Sequence, residues 1–540
     1  MKTINSTPFR LKLIVLAMAS SASSAYAFNI ETNNSDFRAS LDNTLKYSTA
    51  FRTKEASPGL TEGSAATNFN DGDNNFDKGL VSNRLDLFSE LDLSYKEAGV
   101  RISGAAWYDD VYHQDTDNTS TTSNHNPARE FSDITEKTMG GDAEILDAFV
   151  YSRFPVMDGM DGTIRIGRHS LLWGESLFFG ANGIAGGQGP VDVVKLSSVP
   201  NSTFKETMRP TGKVSIDVPI SETASIGAYV GYEWEKSRFL PAGSYLSAGD
   251  TLEGEQVLAG SSSFKHTADE EGSDSGQYGL QLKWSDYDID ADFGLYAIRF
   301  DSSSPSNLYT ILNASFQPSQ YKWAYARGIE AYGASMAKTV GIWSLSGEVS
   351  YRRNAPLAST SQTINANTPQ YDNDKTPGYA VGDTAHAQLS WIASLGPNFL
   401  SKESSFVGEI AWNTRVKTTK NENMLNPNAD RSAVGVRMVY SPTYRQFFDG
   451  VDLSPSIGIG HTWGKSSALG SSFGVDGGGD INFGVNAVYL NRWKGSLNYI
   501  KYLGDEGIVN ESASTGGTNA TYKQSLKDRD FISASVSTTF

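Results

Sequence analysis

Cysteine is absent from this 540-residue chain, so no disulfide framework can hold it together, even in an oxidising compartment. Long apolar runs are missing too. Beyond residue 27 every apolar stretch is short and broken by polar residues, whereas a membrane-spanning helix needs roughly 20 apolar residues in a row. Basic residues are in deficit: 45 Lys and Arg face 61 Asp and Glu, a formal net charge of −16. That excludes nucleic acid as a partner, because phosphate binding needs basic patches. Histidine is scarce. The six are His113, His125, His169, His266, His386 and His461, and none lies in a recognisable hydrolase motif. His169 and Ser170 are adjacent, so in a strand they point to opposite faces and cannot pair directly. His386 opposes the Ala387-Leu389 face and reads as a lone polar wall residue. No catalytic residue, cofactor or metal site is assigned.

What is present starts at the amino terminus. Lys2, Arg10 and Lys12 precede the apolar run Leu13–Ala19, and Ala25-Tyr26-Ala27 precedes Phe28. This pattern predicts a cleaved secretory signal over 1–27 and a mature chain over 28–540. An uncleaved anchor is the alternative, but the run is too short to span a bilayer. The chain is rich in Gly, Ser, Asn, Tyr, Phe and Trp, with few Met. At the other end, Ile532, Ala534, Val536, Thr538 and Phe540 alternate with Ser533, Ser535, Ser537 and Thr539. Successive side chains of a strand face opposite ways, so this segment has one apolar and one polar face. It resembles the last strand of bacterial outer-membrane barrels, whose terminal Phe is read by the barrel-assembly machinery.

The same alternation recurs along the whole mature chain. Phe37, Ala39, Leu41, Leu45 and Tyr47 oppose Arg38, Ser40, Asp42, Lys46 and Ser48. Val81, Leu85, Leu87, Leu91 and Leu93 oppose Ser82, Arg84, Asp86, Glu90 and Asp92. Later runs include Leu345–Tyr351, Phe406–Trp412, Val434–Tyr440 and Ile481–Tyr489. Many end in aromatics and reach ten or more residues, enough to cross a bilayer at a tilt. Backbone edges cannot stay open in lipid, so the sheet must close. Short turns such as 96–99, 157–162, 219–222, 285–287 and 338–341 alternate with long polar stretches over 53–79, 113–141, 238–275, 302–325, 354–377, 464–478 and 506–527. This predicts an all-β transmembrane antiparallel outer-membrane barrel of about 18 strands, with 16 as the main alternative, short periplasmic turns, long outer loops and both ends in the periplasm. The bacterial outer membrane is the expected location, with its lipid and lipopolysaccharide as surroundings.

One stretch breaks the pattern. Residues 173–210 are long, Gly-rich and unusually apolar, with Leu177, Phe178, Phe179, Ile184, Val191, Val193, Val194 and Leu196. The segment is expected to fold into the lumen or lie over the barrel mouth; an ordinary outer loop is the alternative. Strand alternation places Arg84, Asp86, Glu90, Asp92, Arg165 and Glu233 toward the lumen, where charge can select solutes, or where the groups pair and fill the wall. Arg168, Trp173 and Glu175 stand at the start of the segment as candidates for a constriction or ligand contact. Asp192 lies within it. Glu206 and Arg209 close it and are expected to anchor it by ion pairs. Only a few residues separate Phe28 from the strand near Phe37, so neither a plug domain nor an amino-terminal hatch is expected, and any gate must come from 173–210.

Two acidic stretches read as ordinary solvated loop. Asp71-Gly72-Asp73-Asn74-Asn75-Phe76-Asp77 imitates a calcium loop, but Phe76 and Ser82 occupy the sixth and twelfth positions, where Gly and Glu are needed. A flexible Asx-rich outer loop is the preferred reading. The acidic residues Asp250, Glu253, Glu255, Asp269, Glu270, Glu271 and Asp274 are likewise expected in solvent; divalent cations bridging them to lipopolysaccharide find no support.

Taken together, Asn83-Arg84-Leu85, Glu90-Leu91-Asp92-Leu93, Ile164–Arg168, Trp173-Gly174-Glu175-Ser176, Pro190-Val191-Asp192, Tyr232-Glu233-Trp234 and Leu240–Leu246 resemble the proteobacterial family of domain of unknown function 1302 over nearly the whole mature chain. The resemblance implies an outer-membrane barrel. Genes of that family often sit beside those for catabolism of hydrophobic compounds and for a lipid-type transporter, so the resemblance implies movement of small hydrophobic or amphipathic solutes. A general polar-solute porin and a non-transporting surface or interaction protein are the alternatives; an enzyme is not expected.

Overall fold

The computed structural model describes residues 28–29, 34–260, 262–365, 371–514 and 516–540. The expected signal segment lies outside the described residues. Eighteen antiparallel strands form the wall: β1 (Phe37–Arg52), β2 (Gly79–Tyr95), β3 (Ala98–Asp109), β4 (Gly141–Met157), β5 (Met160–His169), β6 (Thr211–Pro219), β7 (Ala224–Gly231), β8 (Gln277–Asp286), β9 (Ala291–Phe300), β10 (Ile329–Val340), β11 (Trp343–Pro356), β12 (Val381–Leu395), β13 (Glu403–Lys420), β14 (Ser432–Phe448), β15 (Val451–Trp463), β16 (Gly478–Tyr489), β17 (Trp493–Leu503) and β18 (Phe531–Thr539). Each pairs with its neighbour in sequence. β18 pairs with β17 and also with β1, from Thr44 opposite Thr539 to Arg52 opposite Phe531, which closes the barrel.

Exposure follows the two-residue period. Val230, Leu280, Val349, Leu389, Ile410, Phe483 and Leu497 are exposed on the outer face. Their neighbours Tyr229, Gln281, Glu348, Gln388, Glu409 and Ser496 are buried on the inner one. Such an apolar outside is stable only in lipid, and closure leaves no unpaired edge there. Tyr108, Tyr232, Tyr278, Tyr332 and Trp463 gather toward the outer ends of strands, and Tyr95 and Tyr489 at the opposite ends.

The structure corrects several expectations. Val81 does not join the lipid face. The register shifts between Ala50 and Phe51, and this bulge turns Val81 inward, where it is buried with Phe76, Tyr112 and Phe531. A further outer connection, 421–431, is too short to be recognised by length. The stretch 302–325 is not simply polar loop: Asn307–Leu312 and Pro318–Ala324 join Gln256–Ala259, Ser262–His266 and Gln362–Asn365 in a five-stranded sheet among the outer loops. Asp71–Asn74 is a short buried helix rather than a flexible loop, because Asp73 is clamped by Arg52 and Arg529. Asp250 is not solvated either. It is wholly buried, because backbone and amide N–H groups of two other loops converge on it.

Candidate functional site

The connection from β5 to β6, residues 170–210, touches two sectors of the wall. Its first half lies against β10–β13. Glu409, fully buried on β13, accepts hydrogen bonds from Ser176 Oγ (3.3 Å), Leu177 N (3.3 Å), Phe178 N and Phe179 N (2.8 Å). Glu348 on β11 accepts from Glu175 N (2.9 Å) and Ile184 N (2.6 Å). Arg352 donates to the carbonyls of Ala181 and Gly183, both at 2.8 Å. Asn182 Oδ1 meets His386 Nδ1 at 3.0 Å and Asn413 Nδ2 at 3.3 Å. Gly174 is required here: its φ is 94°, and a Cβ would fall 2.2 Å from Glu348 Oε2. Ile184 seats on the bare backbone of Gly333, where a Cβ would collide with it.

The second half lies against β1–β4. Asp192 caps the helix Val193–Ser198 by accepting from Lys195 N, and pairs with Arg238 at 2.8 Å. Glu206 completes a capping box with Thr203 and pairs with Lys46 at 3.2 Å. Lys205 reaches Glu90 (2.9 Å), which also holds Arg101. In a ring of eighteen strands β12 and β3 stand nine apart, half-way round. The 170–210 segment is therefore a strap bonded to opposite sectors of the wall.

A charged clasp ties the strap's two ends together. Arg168 pairs with Glu233 (3.5 Å) and Glu235 (2.5 Å), while Arg209 pairs with Glu144 (2.9 Å) and Glu235 (3.3 Å). Glu144 also holds Arg238. Nearby, Arg84 is buried against Asp86 at 2.8 Å, and three cations surround the Trp107 ring: Arg238 at 5.0 Å, Arg84 at 5.4 Å and Lys195 at 5.4 Å. Burial pushes the Lys195 ammonium below its usual range, although Asp192 and Glu144 oppose it. Trp173 is buried edge-on to Tyr229 (5.2 Å) and stacked on Tyr296 (6.4 Å). Among the described residues the Glu175 carboxyl makes no ion pair, and burial raises its pKa. Arg165 stands apart from all of these. It is exposed on the inner face of β5 and makes no hydrogen bond or ion pair among the described residues. Glu144→Ala would leave Arg209 with Glu235 alone and Arg238 with Asp192 alone, so new tryptic cleavage within 190–210 is expected, with the barrel still heat-modifiable on gels.

Sequence reasoning did not single out Glu348, Arg352, Glu409 or Asn413. Their signal was a solitary charge or amide on the Ser- and Gly-rich face of a strand whose other face is greasy. Nor did it foresee that His169 Nε2 lies 2.7 Å from Ser215 Oγ across the β5–β6 register, with Nδ1 on the Gly167 carbonyl.

On the outer side of the strap the loops enclose a vestibule of about 500 Å³. Ala181, Gly186 and Val193 of the strap form its floor, and Phe239, Leu246, Leu252, Leu308, Trp323 and Leu469 are among its walls. Among the described residues no Asp or Glu lines it, and Arg352 is its one charged residue.

A family model described as "Protein of unknown function (DUF1302)" matches residues 9–540. No curated protein matches the chain. Among solved structures it is similar to the outer membrane channel DcaP of Acinetobacter baumannii, at 8% identity over 94% of this chain and 99% of that one, with a TM-score of 0.37. It is similar to the outer membrane protein opdK from Pseudomonas aeruginosa, at 11% identity over 93% and 98%, TM-score 0.41. It is also similar to OccAB3 of Acinetobacter baumannii, at 8% identity over 93% and 99%, TM-score 0.43. The barrel rests on its own strand pairing, not on these distant likenesses.

Proposed function

The chain belongs to the DUF1302 family, and on that footing we propose that it is a passive outer-membrane channel for hydrophobic or amphipathic small molecules. The observation that carries this reading is the vestibule. In a chain with a net charge of −16, the cavity between the loops and the strap has, among the described residues, no carboxylate and mostly apolar walls. An apolar solute entering it gains about 25 cal/mol for each Å² removed from water. A charged solute loses hydration there and meets neutral hydroxyls and amides such as Ser306, Asn307 and Ser472, with Arg352 the one counter-charge among the described residues. The strap beneath is the gate in this reading: the solute waits above it and passes when the strap leaves one wall. A general polar-solute porin is the second reading, favoured by Arg165, an exposed cation on the inner wall with no partner among the described residues. We assign β18 and its terminal Phe540 to recognition by the assembly machinery.

Reconstituted liposomes test the choice. Uptake of a neutral aromatic solute should exceed uptake of a sugar of similar size. The double substitution Leu252→Glu and Leu308→Glu puts carboxylates into the vestibule and should cut aromatic uptake about tenfold, the equivalent of ~1.4 kcal/mol. Equal uptake of both solutes, unmoved by the substitutions, would return the protein to the polar-porin reading.

A further inference from the structure

We propose that Asp71, Asn124 and Asp250 form a calcium site that ties together three outer loops, 53–78, 110–140 and 232–276. The inference is independent of what the channel carries.

Asp250 is wholly buried and Asp71 nearly so, and among the described residues neither makes an ion pair. One oxygen of each is used. Asp250 Oδ2 accepts from Asn70 N (3.1 Å) and Asn124 Nδ2 (3.1 Å), and Asp71 Oδ2 accepts from Asn124 N (2.8 Å). The other oxygens, Asp71 Oδ1 and Asp250 Oδ1, have no partner, and neither has Asn124 Oδ1. Buried polar atoms are nearly always satisfied, so three such orphans together call for an occupant. The amide orientation supports this, because Asn124 Nδ2 is already committed to Asp250 and it is the oxygen that is left over. The three residues line one cavity of about 20 Å³. A water-sized particle needs about 10–15 Å³ of such space, so the cavity holds one small occupant.

Charge narrows its identity. Two carboxylates buried side by side cost several kcal/mol unless neutralised. The nearest basic groups are engaged elsewhere: His125 with Glu255 at 3.4 Å, and Arg529 with Asp73 at 2.8 Å. A divalent ion cancels the pair. The unsatisfied atoms are carboxylate and amide oxygens only; no group of three His, Cys, Asp or Glu is found among the described residues, so the two carboxylates need the Asn124 amide oxygen as their third ligand. An oxygen-only set of this kind suits calcium, which accepts irregular cages and sheds water readily, over zinc or magnesium. The EF-hand spacing fails over 71–77 because the site takes only Asp71 from that run and draws the rest from two distant loops. His125, Glu130 and Glu255 also face the cavity.

The mature protein in detergent, stripped with chelator, should bind one Ca²⁺ per chain in calorimetry, with Mg²⁺ at least tenfold weaker. Asp250→Asn and Asp71→Asn should each weaken Ca²⁺ at least tenfold while heat-modifiable mobility shows the barrel folded. Glu271→Gln, at an exposed loop position, should leave binding unchanged. Absence of saturable binding, or equal loss in Glu271→Gln, an adventitious surface ion only, would overturn the site. If a misfolded Asp→Asn variant obscures the comparison, Asn124→Ala, which removes a neutral donor, decides it in the same way.

Discussion

The double variant Glu348→Ala, Glu409→Ala should conduct in planar bilayers at several times the wild-type level, with the barrel otherwise intact. The two carboxylates accept six hydrogen bonds from residues 175–184, five of them from backbone N–H groups. Bonds to a charged acceptor contribute about 1.5–3 kcal/mol each. Turning a 1:99 equilibrium into 99:1 takes only about 5.5 kcal/mol. Removing both acceptors therefore exceeds what is needed to free this half of the strap. The backbone groups released would be hydrated by lumen water, which favours the detached state further. The second half should stay in place, because Lys46, Glu90 and the Arg209 clasp hold it independently. Uptake of aromatic solutes should rise with conductance and lose its preference over sugars. A conductance equal to that of the wild type, with the variant correctly folded, would show that the strap does not limit the path.

The barrel was legible because its two solvents differ so strongly. Lipid outside and water inside impose a two-residue period on every strand, and that period survives in a single sequence. Deviations from it were not legible. The bulge at Ala50 and Phe51 turns Val81 inward through pairing with a neighbouring strand, which no local pattern encodes. The strap was conspicuous by composition, since its run of apolar residues has no place in a solvated loop. Its wall partners were not, because Glu348 and Glu409 lie more than 150 residues downstream on faces that otherwise look like pore lining. Acidic runs misled for a related reason. Asp250 and Glu271 look alike in sequence, but Asp250 is wholly buried while Glu271 is exposed. What separates them is long-range: Asn70 and Asn124 supply the N–H groups that make burial of Asp250 tolerable.

Asp73→Ala should be the most destabilising single substitution in the outer loops. Asp73 sits between two guanidiniums that are themselves almost fully buried. Arg529 grips it with two bonds, Nε to Oδ1 at 2.9 Å and Nη2 to Oδ2 at 2.8 Å, and Arg52 Nη2 lies 2.9 Å from Oδ1. The same arginines hold the backbone of neighbouring loops through the carbonyls of Phe76 and Tyr245, both at 2.8 Å. Removing one partner of a buried pair typically costs about 3–5 kcal/mol, because the remaining charge is stranded. Here two cations are left facing Asp528 alone, which reaches Arg52 at 3.3 Å. The loops should become protease-sensitive while the strands keep their heat-modifiable mobility. The pH response of the wild type has a definite sign. Burial pushes the Asp73 carboxyl up, but Arg529 and Arg52 outweigh it and hold it below the usual aspartate value of 3.8. Its contribution is therefore complete above that value and fades only as the pH falls through the lower, folded pKa. Asp528 behaves oppositely: burial and the adjacent Asp73 lift it to about 6, so its contribution is fullest below 3.8 and is lost as the pH rises through 6. Without added cations, the loops should thus resist proteolysis better at pH 5 than at pH 8, and weaken again only in strong acid. In Asp73→Ala the repulsion that helps lift Asp528 is gone, so the advantage at pH 5 should shrink. An unchanged digestion pattern at every pH would mean that this buried cluster does not hold the loops together.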